Sequence, residues 1–256
     1  MAEKFTWDAF QDLTPLRRLI IDVRGMHKSG KTDFFIRGAP EGHPIRHIIL
    51  DPNGEAVAKK VLADTGRPAG VGGYAHKTID FERGMGMQDA KKEWDAFLAA
   101  YTVAAEEPGP GVVIVDTATE VDELMRIQLY GKLEKVPTFK YGERNKMWKT
   151  LFKQAYDSEK TFAFIHKMKK EYERGPDGAD NSDANARWTG KYEAAQWAGT
   201  LHEVQAAIHM SWSAADQDFK LLVLENNMKQ EMKGDTFLVR SEGFTLDLLL
   251  EMTYPS

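Results

Sequence analysis

A glycine-rich segment near the start of the numbering, Gly25-Met26-His27-Lys28-Ser29-Gly30-Lys31-Thr32, constrains the fold of this chain more than any other feature. It matches the pattern G-x-x-x-x-G-K-[ST], in which the glycines let backbone N–H groups curl around a β-phosphate. In this pattern Lys31 reaches the β- and γ-phosphates, and the hydroxyl of Thr32 ligates Mg²⁺. The alternative interpretation is an ordinary glycine-rich turn.

The segments that flank this phosphate loop favour the phosphate-binding interpretation. Leu19–Val23 is a short apolar run typical of a buried strand, and Lys31–Arg37 can begin a helix whose N-terminus faces the phosphates. We therefore expect the loop and the first helical residues to bind the phosphorylated cofactor. The predicted cofactor-binding residues are Gly25, His27, Lys28, Ser29, Gly30, Lys31, Thr32 and Asp33.

Composition narrows the class of protein. The 256 residues, 42% of them hydrophobic, are enough for one sizeable α/β core without a second domain. The absence of cysteine excludes disulfides and thiolate metal sites, and the seven histidines show no zinc-ligand spacing. With no long apolar run and no signal-peptide pattern, we expect a cytoplasmic protein that does not enter a membrane. The net charge of −5 means that any contact with nucleic acid must be local.

Short apolar runs alternate with helical patterns along the chain, which predicts a parallel sheet with crossover helices. The predicted strands are Leu19–Val23, Arg46–Leu50, Gly111–Val115, Thr161–Ile165, Val204–Met210 and Lys220–Leu224. The predicted helices after the phosphate loop are Gly54–Asp64, Gln88–Ala105, Thr119–Tyr130, Arg144–Ser158 and Lys191–Leu201.

Other segments do not follow this alternation. Thr236–Arg240 and Phe244–Leu250 indicate an added hairpin or edge strands near the end of the sequence. Gly66–Gly73 indicates a glycine-rich turn, and Arg174–Arg187 is a Gly/Asp/Asn-rich loop of a kind that is often functional.

The apolar run Gly111–Val115 ends in Asp116, which is the candidate second ligand for Mg²⁺. A phosphate loop needs an acidic residue at the end of a neighbouring strand to hold the metal. A run of apolar residues suits a central parallel strand, and open α/β sheets bind ligands at the carboxyl ends of such strands. We therefore expect Asp116 and Thr32 to share one metal site.

With these motifs in order, the chain resembles RecA-type ATPases, in particular the small phage-encoded, Sak-type relatives that bind nucleotides and anneal single strands. Besides the phosphate loop, the resemblance rests on Ile114–Thr119, which is similar to the family's I-D-[ST]-x-T strand end. Tyr141–Met147 is similar to Y-G-x-x-N-x-x-M, and Phe162–Lys170 is similar to a strand that ends in H-x-K. These segments span roughly Arg18 to Glu225.

The resemblance implies one RecA-like ATPase domain over residues 1–256, with a core at about 18–225 and a C-terminal hairpin or edge strands at 234–252. Its fold would be a twisted, mainly parallel sheet with helices on both faces. The implied cofactors are ATP and Mg²⁺. The implied partners are single-stranded DNA, further copies of the chain in a ring or filament, and a single-strand binding protein. A phage-encoded member would act in the host cell cytoplasm.

The resemblance also implies catalytic roles, and the residue that would orient the attacking water does not match the family. RecA-type ATPases place a glutamate after the second core strand to orient the attacking water, but here the aligned residue is Asn53, which cannot act as a base. Asp51 and Glu55 are the substitutes, so we expect hydrolysis that is slow or depends on a partner. His166 follows an apolar strand and is either a γ-phosphate sensor or a hydrogen-bonded residue at the edge of the core. The implied catalytic residues are Lys31, Asp51, Glu55, Asp116 and His166.

A basic and aromatic segment from Tyr130 to Lys149 has the composition of a single-strand binding surface, with cations for phosphates and rings for base stacking. The alternative is a solvated helix face whose aromatic side chains point into the core, Trp148 among them. Residues 167–170, after the strand Thr161–Ile165, add further lysines. The predicted nucleic-acid contacts are Lys140, Tyr141, Arg144, Lys146, Lys149, Lys167, Lys169 and Lys170.

These features leave three functional hypotheses. The first is a phage-type ATPase that acts on single-stranded DNA in recombination or annealing. The second is a helicase-loader or motor ATPase, and the third is a nucleotide-gated scaffold that barely hydrolyses ATP and does not touch DNA. Within the first, Lys229 or Lys233 of a neighbouring copy would complete the active site.

Overall fold

The computed structural model describes residues 17–70, 72–131, 141–172 and 188–254. Within these ranges the chain forms strands and helices that alternate in sequence. The strands are β1 (Ile20–Arg24), β2 (Ile45–Ile49), β3 (Tyr74–Thr78), β4 (Val112–Asp116), β5 (Thr161–Ile165), β6 (Met168–Tyr172), β7 (Trp188–Ala194), β8 (Ala206–Ser213), β9 (Asp218–Asn226) and β10 (Thr236–Leu238). The helices are α1 (Lys31–Gly38), α2 (Gly54–Thr65), α3 (Met87–Glu106), α4 (Ala118–Tyr130), α5 (Tyr141–Asp157), α6 (Thr200–Glu203) and α7 (Leu246–Thr253).

An eight-stranded sheet forms the centre of the fold, in the order β10-β9-β8-β1-β5-β4-β2-β3. Among the described residues, five of its seven neighbouring pairs are parallel, and only β8–β9 and β9–β10 are antiparallel. The predicted α/β class with a mainly parallel sheet is therefore confirmed. β5 lies between β1, which leads into the phosphate loop, and β4, which ends at Asp116.

The central strands are apolar on both faces because helices cover both sides of the sheet. Successive side chains of a strand point to opposite faces, so Val112 and Ile114 pack into one core cluster while Val113 and Val115 pack into the other. The first cluster also contains buried residues of α1, α2 and α7, and the second contains those of α3, α4 and α5. This double coverage buries the strands whose ends carry the candidate site.

Two predicted elements are wrong. Most of the predicted helix Lys191–Leu201 is replaced by β7, which pairs antiparallel with β6 in a separate two-stranded sheet, and by the short α6. The spacing of alanines and aromatic residues in this segment is typical of a helix. The pairing with β6 outweighs this local preference, and the segment forms a strand. Neither β3 nor β6 was predicted.

The second error lies near the C-terminus. β10 is a short edge strand, as expected, but Phe244–Leu250 is not a strand, because Leu246–Thr253 forms α7. The hydroxyl of Thr245 caps this helix by accepting from the N–H of Leu248. Leu246, Leu249 and Leu250 are spaced for one helical face and are buried. Among the described residues, no helix is long and apolar enough to cross a membrane.

Candidate nucleotide-binding site

The phosphate loop connects β1 to α1 and packs closely against the neighbouring strands. A side chain at Gly25 would collide with the carbonyl of Met210 on β8. Gly30 has a φ of +81°, and a Cβ there would lie 2.9 Å from the ring of Phe219 on β9. Only glycine meets both requirements, a left-handed backbone and a missing side chain. The loop is therefore held in a tight turn that continues directly into the first turn of α1.

Lys31 folds back over this loop. Its ammonium donates hydrogen bonds to the carbonyls of Gly25 (2.8 Å) and Met26 (2.9 Å) and to the hydroxyl of Ser29 (3.3 Å). Burial lowers the pKa of Lys31 to about 8, against the attraction of Asp116 and Asp51, which raises it. A partly buried ammonium whose partners include neutral carbonyls gains strongly from an anionic ligand, as a nucleotide phosphate would be.

Thr32 and Asp116 meet beside the loop. The hydroxyl of Thr32 donates a 2.7 Å hydrogen bond to Oδ2 of Asp116, whose residue is 4% exposed. Nε2 of His47, on β2, lies 3.4 Å from the same oxygen without forming a hydrogen bond, and its Nδ1 is 2.8 Å from the hydroxyl of Tyr74. Burial raises the pKa of Tyr74, so the phenol stays neutral. The carboxylate of Asp116 is thus fixed toward the loop.

The pair Thr32–Asp116 fits a Mg²⁺ site. Mg²⁺ binds oxygen ligands and is usually held by one or two carboxylates together with waters and substrate phosphates, not by an all-protein cage. One hydroxyl and one carboxylate in contact with each other at the end of a phosphate loop meet that description. No group of three histidine, cysteine or carboxylate side chains that could hold a metal ion occurs in the part of the chain that the structure describes.

Lys167, which follows β5, joins two carboxylates next to the loop. Its ammonium lies 2.6 Å from Oε1 of Glu120 and 2.9 Å from Oδ2 of Asp51. Burial raises the pKa of Glu120, and its Oε2 is buried without a hydrogen-bond partner. Burial also acts to raise the pKa of Asp51, but hydrogen bonds from Asn53 and Lys167 outweigh it and leave that pKa below its usual value. Lys167 is therefore part of the cavity's charge balance.

These side chains surround a cavity of about 650 Å³ above the phosphate loop. All the predicted cofactor-binding residues line it, as do Asp51, Asn53, Asp116, Lys167 and two residues from distant parts of the chain, Phe219 and Arg240. The volume lies within the range of sites that hold small molecules and cofactors.

Two predicted catalytic residues do not line this cavity. Glu55 pairs with Lys59 at 2.6 Å on the surface of α2. His166 is fully buried, with Nε2 3.6 Å from Oδ1 of Asp22 and no hydrogen bond to either ring nitrogen. Burial lowers the pKa of His166. The structure thus places this histidine in the interior just after β5, while Lys167, the next residue, lines the phosphate-loop cavity.

The predicted nucleic-acid contacts do not form one surface. Lys146 and Lys149 are exposed on α5 and line a second cavity of about 640 Å³ together with Tyr130. Arg144 stacks on Tyr141, with Cζ 4.5 Å from the ring centroid, and lies 3.5 Å from Asp122. Lys140 lies outside the described residues.

The lysines around β6 have other neighbours. Lys167 belongs to the phosphate-loop cavity, Lys169 pairs with Glu193 of β7 at 3.1 Å, and Lys170 is exposed on β6. Lys229 and Lys233 are engaged within their own chain, by the carbonyl of Met252 and by Glu225 respectively.

Trp148 is a core residue. It has no exposed surface, and its indole N–H donates a 2.8 Å hydrogen bond to Asp122. Its ring stacks on Trp197 with centroids 6.1 Å apart and on Phe152 at 5.8 Å. The hypothesis that this ring stacks on a nucleic-acid base is wrong, because the ring is fully enclosed.

Sequence reasoning missed several residues of the site. Glu120 was detectable, since it lies in the first turn of the helix that follows Asp116. His47 shares one face of β2 with Ile45 and Ile49, so nothing in the local sequence marked it as a residue of the site. Phe219 and Arg240 reach the cavity only because β9 and β10 pair antiparallel, a long-range arrangement that no local pattern announces.

The chain has distant structural similarity to two solved proteins. No protein-family model matches the chain, and a search of curated proteins finds no match. Among solved structures, an ATPase from the type III secretion system of pathogenic bacteria matches at 12% identity and a TM-score of 0.49, over 78% of this chain and 54% of that one. The RadB recombinase matches at 11% identity and a TM-score of 0.46, over 88% of this chain and 89% of that one.

Proposed function

We propose that this chain is a RecA-like ATPase that binds ATP with Mg²⁺ in the phosphate-loop cavity. The observation that carries the proposal is the contact between Thr32 and Asp116 at 2.7 Å, with the ammonium of Lys31 held over the same loop. Backbone N–H groups of the loop and the N-terminus of α1 would bind the phosphates, and Lys31 would neutralise their charge. Thr32 and Asp116 would hold the metal, which would draw negative charge from the phosphates.

We expect hydrolysis to be slow. Asn53 cannot accept a proton from water. Asp51, the carboxylate two residues before it, already accepts hydrogen bonds from Asn53 and Lys167. A general base must be within hydrogen-bond reach of the water it activates, and a carboxylate of lowered pKa is a weak base. Asp51 would become free to act as a base only if a partner, or movement of Lys167 toward a bound phosphate, broke its contact with Lys167.

We further propose that the ATPase acts on single-stranded DNA in phage-type recombination or annealing, through the basic side of α5. Lys146 and Lys149 are exposed there and make no ion pair with other described residues. Two cations that line the same cavity as Tyr130 suit a sugar–phosphate backbone with stacked bases. Assembly into a ring or filament and a single-strand binding partner belong to this proposal through the resemblance alone.

The rival is a nucleotide-gated assembly protein that does not touch DNA. The occupied state of Asp51 favours it, because an ATP-binding protein without a free base works as a switch more readily than as a motor. A helicase loader or motor ATPase would instead need efficient turnover.

Binding of a fluorescent single-stranded oligonucleotide, measured with and without ATP and Mg²⁺ at two salt concentrations, separates these functions. We expect ATP-dependent binding that weakens at high salt. ATP binding without any DNA binding would favour the assembly protein, and rapid turnover on DNA would favour the motor. Failure to bind ATP in the presence of Mg²⁺ would overturn the whole proposal.

A further inference from the structure

A stacked pair of side chains, Arg240 and Phe219, forms one end of the phosphate-loop cavity. Cζ of Arg240 lies 4.7 Å from the centroid of the Phe219 ring. The same ring packs against the backbone of Gly30 in the phosphate loop. The ring of Trp212 meets it edge-on, with centroids 5.1 Å apart and planes at 72°. The phenyl ring is therefore fixed between the loop and the guanidinium.

Asp218 locks this pair together. Its carboxylate accepts hydrogen bonds from the N–H groups of Phe219, Arg240 and Ser241 and from the Ser241 hydroxyl, at 2.6 to 3.1 Å. The N–H of Val239 also donates to the carbonyl of Phe219 at 2.8 Å. The residue Asp218 is only 2% exposed. The start of β9 and the turn after β10 are thus joined by a buried anion, which holds Arg240 next to the cavity.

The pair lies on the side of the phosphate loop that faces away from the metal candidates. In the sheet, β8 separates β9 from β1, while β5 separates β4 from β1 on the other side. Asp116 and Thr32 approach the loop from the side of β4, and Phe219 and Arg240 approach it from the side of β9. If the terminal phosphates face Asp116, the nucleoside leaves the loop toward the stacked pair.

We propose that the guanidinium of Arg240, supported from below by Phe219, is the surface on which the base of the bound nucleotide stacks. This inference rests on the proposed function, since it requires a nucleoside triphosphate in the cavity. A guanidinium is planar, weakly hydrated and suited to stacking on π systems. Arg240 is exposed and has no carboxylate partner among the described residues, so its outer face is open to a second ring.

The arrangement predicts that stacking is selective for nucleotides over bare phosphates. Base stacking is tolerant of the base, because every base has a π face, so ATP and GTP should both benefit. Inorganic tripolyphosphate carries the same phosphates without a base. Its affinity should therefore be independent of Arg240, whereas a direct contact of Arg240 with phosphate would affect both ligands equally.

The test is a titration calorimetry series with ATP–Mg²⁺ and tripolyphosphate–Mg²⁺ on the full chain. The variants are Arg240→Ala, Arg240→Lys and Phe219→Leu, and the matched control is Lys77→Ala, which removes an exposed cation on β3 away from the cavity. Thermal unfolding checks that each variant is folded. If Phe219→Leu does not fold, the Arg240→Lys variant still tests the stacking surface.

We expect both Arg240 variants to weaken ATP binding about tenfold, equivalent to about 1.4 kcal/mol, while tripolyphosphate binding stays within twofold of wild type. A phosphate contact would give a different result: Arg240→Lys would bind ATP with wild-type affinity, and Arg240→Ala would bind both ligands more weakly. That result would show that Arg240 contacts phosphate and does not stack on the base. Unchanged ATP affinity in both variants overturns the inference while leaving the ATP site intact. If the wild-type chain binds neither ligand, it is the proposed function that fails.

Discussion

The hydroxyl of Thr32 and the carboxylate of Asp116 lie 2.7 Å apart, although 84 positions separate them in the chain. The sheet brings them together, because β1 and β4 are parallel and flank β5, so that both end at the same edge. Ligands bind at this edge of open α/β sheets. The contact links the strand–loop–helix unit to the acidic strand end, and the site depends on both.

Replacing Lys31 by alanine should weaken ATP binding at least tenfold without unfolding the chain. The ammonium lies in a partly buried loop, and its loss leaves phosphate charge unpaired at a cost of about 2–5 kcal/mol. Calorimetric titration with ATP–Mg²⁺ measures the loss, with Lys77→Ala as the control for removal of a positive charge. A folded Lys31→Ala variant with wild-type affinity would show that the loop does not bind the nucleotide.

Replacing Asp116 by asparagine should remove the dependence of binding on Mg²⁺. Asparagine keeps the shape and can still accept the hydrogen bond from Thr32, but it lacks the charge that attracts the metal. Metal-free nucleotide binding should persist while Mg²⁺ no longer strengthens it. Titrations with Mg²⁺ and with a chelator measure the two states. Equal strengthening in variant and wild type would assign the metal to another carboxylate, and Asp51→Asn tests that alternative.

The phosphate loop, its strand and helix, and Asp116 could be predicted from the sequence because each has a local signature of glycine spacing or apolar periodicity. The charge balance around them could not. Lys167 was expected to contact nucleic acid, but its position beside Glu120 and Asp51 depends on how β5 lies against β4. Arg240 enters the cavity through antiparallel pairing at the far edge of the sheet. Such contacts are set by topology, which periodicity does not encode.

Trp148→Ala should destabilise the fold by about 3–5 kcal/mol, the usual cost of deleting a large buried aromatic side chain. The ring fills the core between Phe152 and Trp197, and the change also leaves Asp122 without its indole donor. Denaturant unfolding measures the loss. The matched control is Trp212→Ala. Because Trp212 is 46% exposed, this change should lower the free energy of unfolding much less. Wild-type stability in Trp148→Ala would contradict the buried placement of the ring.

Asp218→Asn should lower stability at neutral pH by roughly 2 kcal/mol, since hydrogen bonds to a charged group are worth about 1.5–3 kcal/mol. Burial acts to raise the pKa of Asp218, but hydrogen bonds from Ser241, Arg240 and Phe219 outweigh it and leave that pKa below the usual 3.8. A lowered folded-state pKa gives stability that is present above the unfolded pKa and is lost as the pH falls through the folded one.

The difference between wild type and Asp218→Asn should therefore be constant near neutral pH and shrink below about pH 4. Thermal unfolding across that pH range measures it. A difference that does not change with pH would mean that the carboxylate contributes through its shape and not through its charge.

Neutralising the basic side of α5 should weaken single-strand binding on unrelated sequences. Lys146 and Lys149 are exposed there, and Lys140, which lies outside the described residues, precedes the helix in the chain. Each phosphate contact on a single strand contributes about 0.7 to the slope of log affinity against log salt, so loss of all three should flatten it by about 2.

The matched control removes the same net charge from exposed lysines on other elements, at Lys59, Lys77 and Lys91. Fluorescence anisotropy over a range of salt concentrations gives both slopes. If the α5 triple variant and the control change the slope equally, the contribution is that of net charge alone. If neither changes DNA affinity while ATP binding is intact, the assembly protein becomes the preferred function, because the phosphate-loop site would then operate without a nucleic-acid surface.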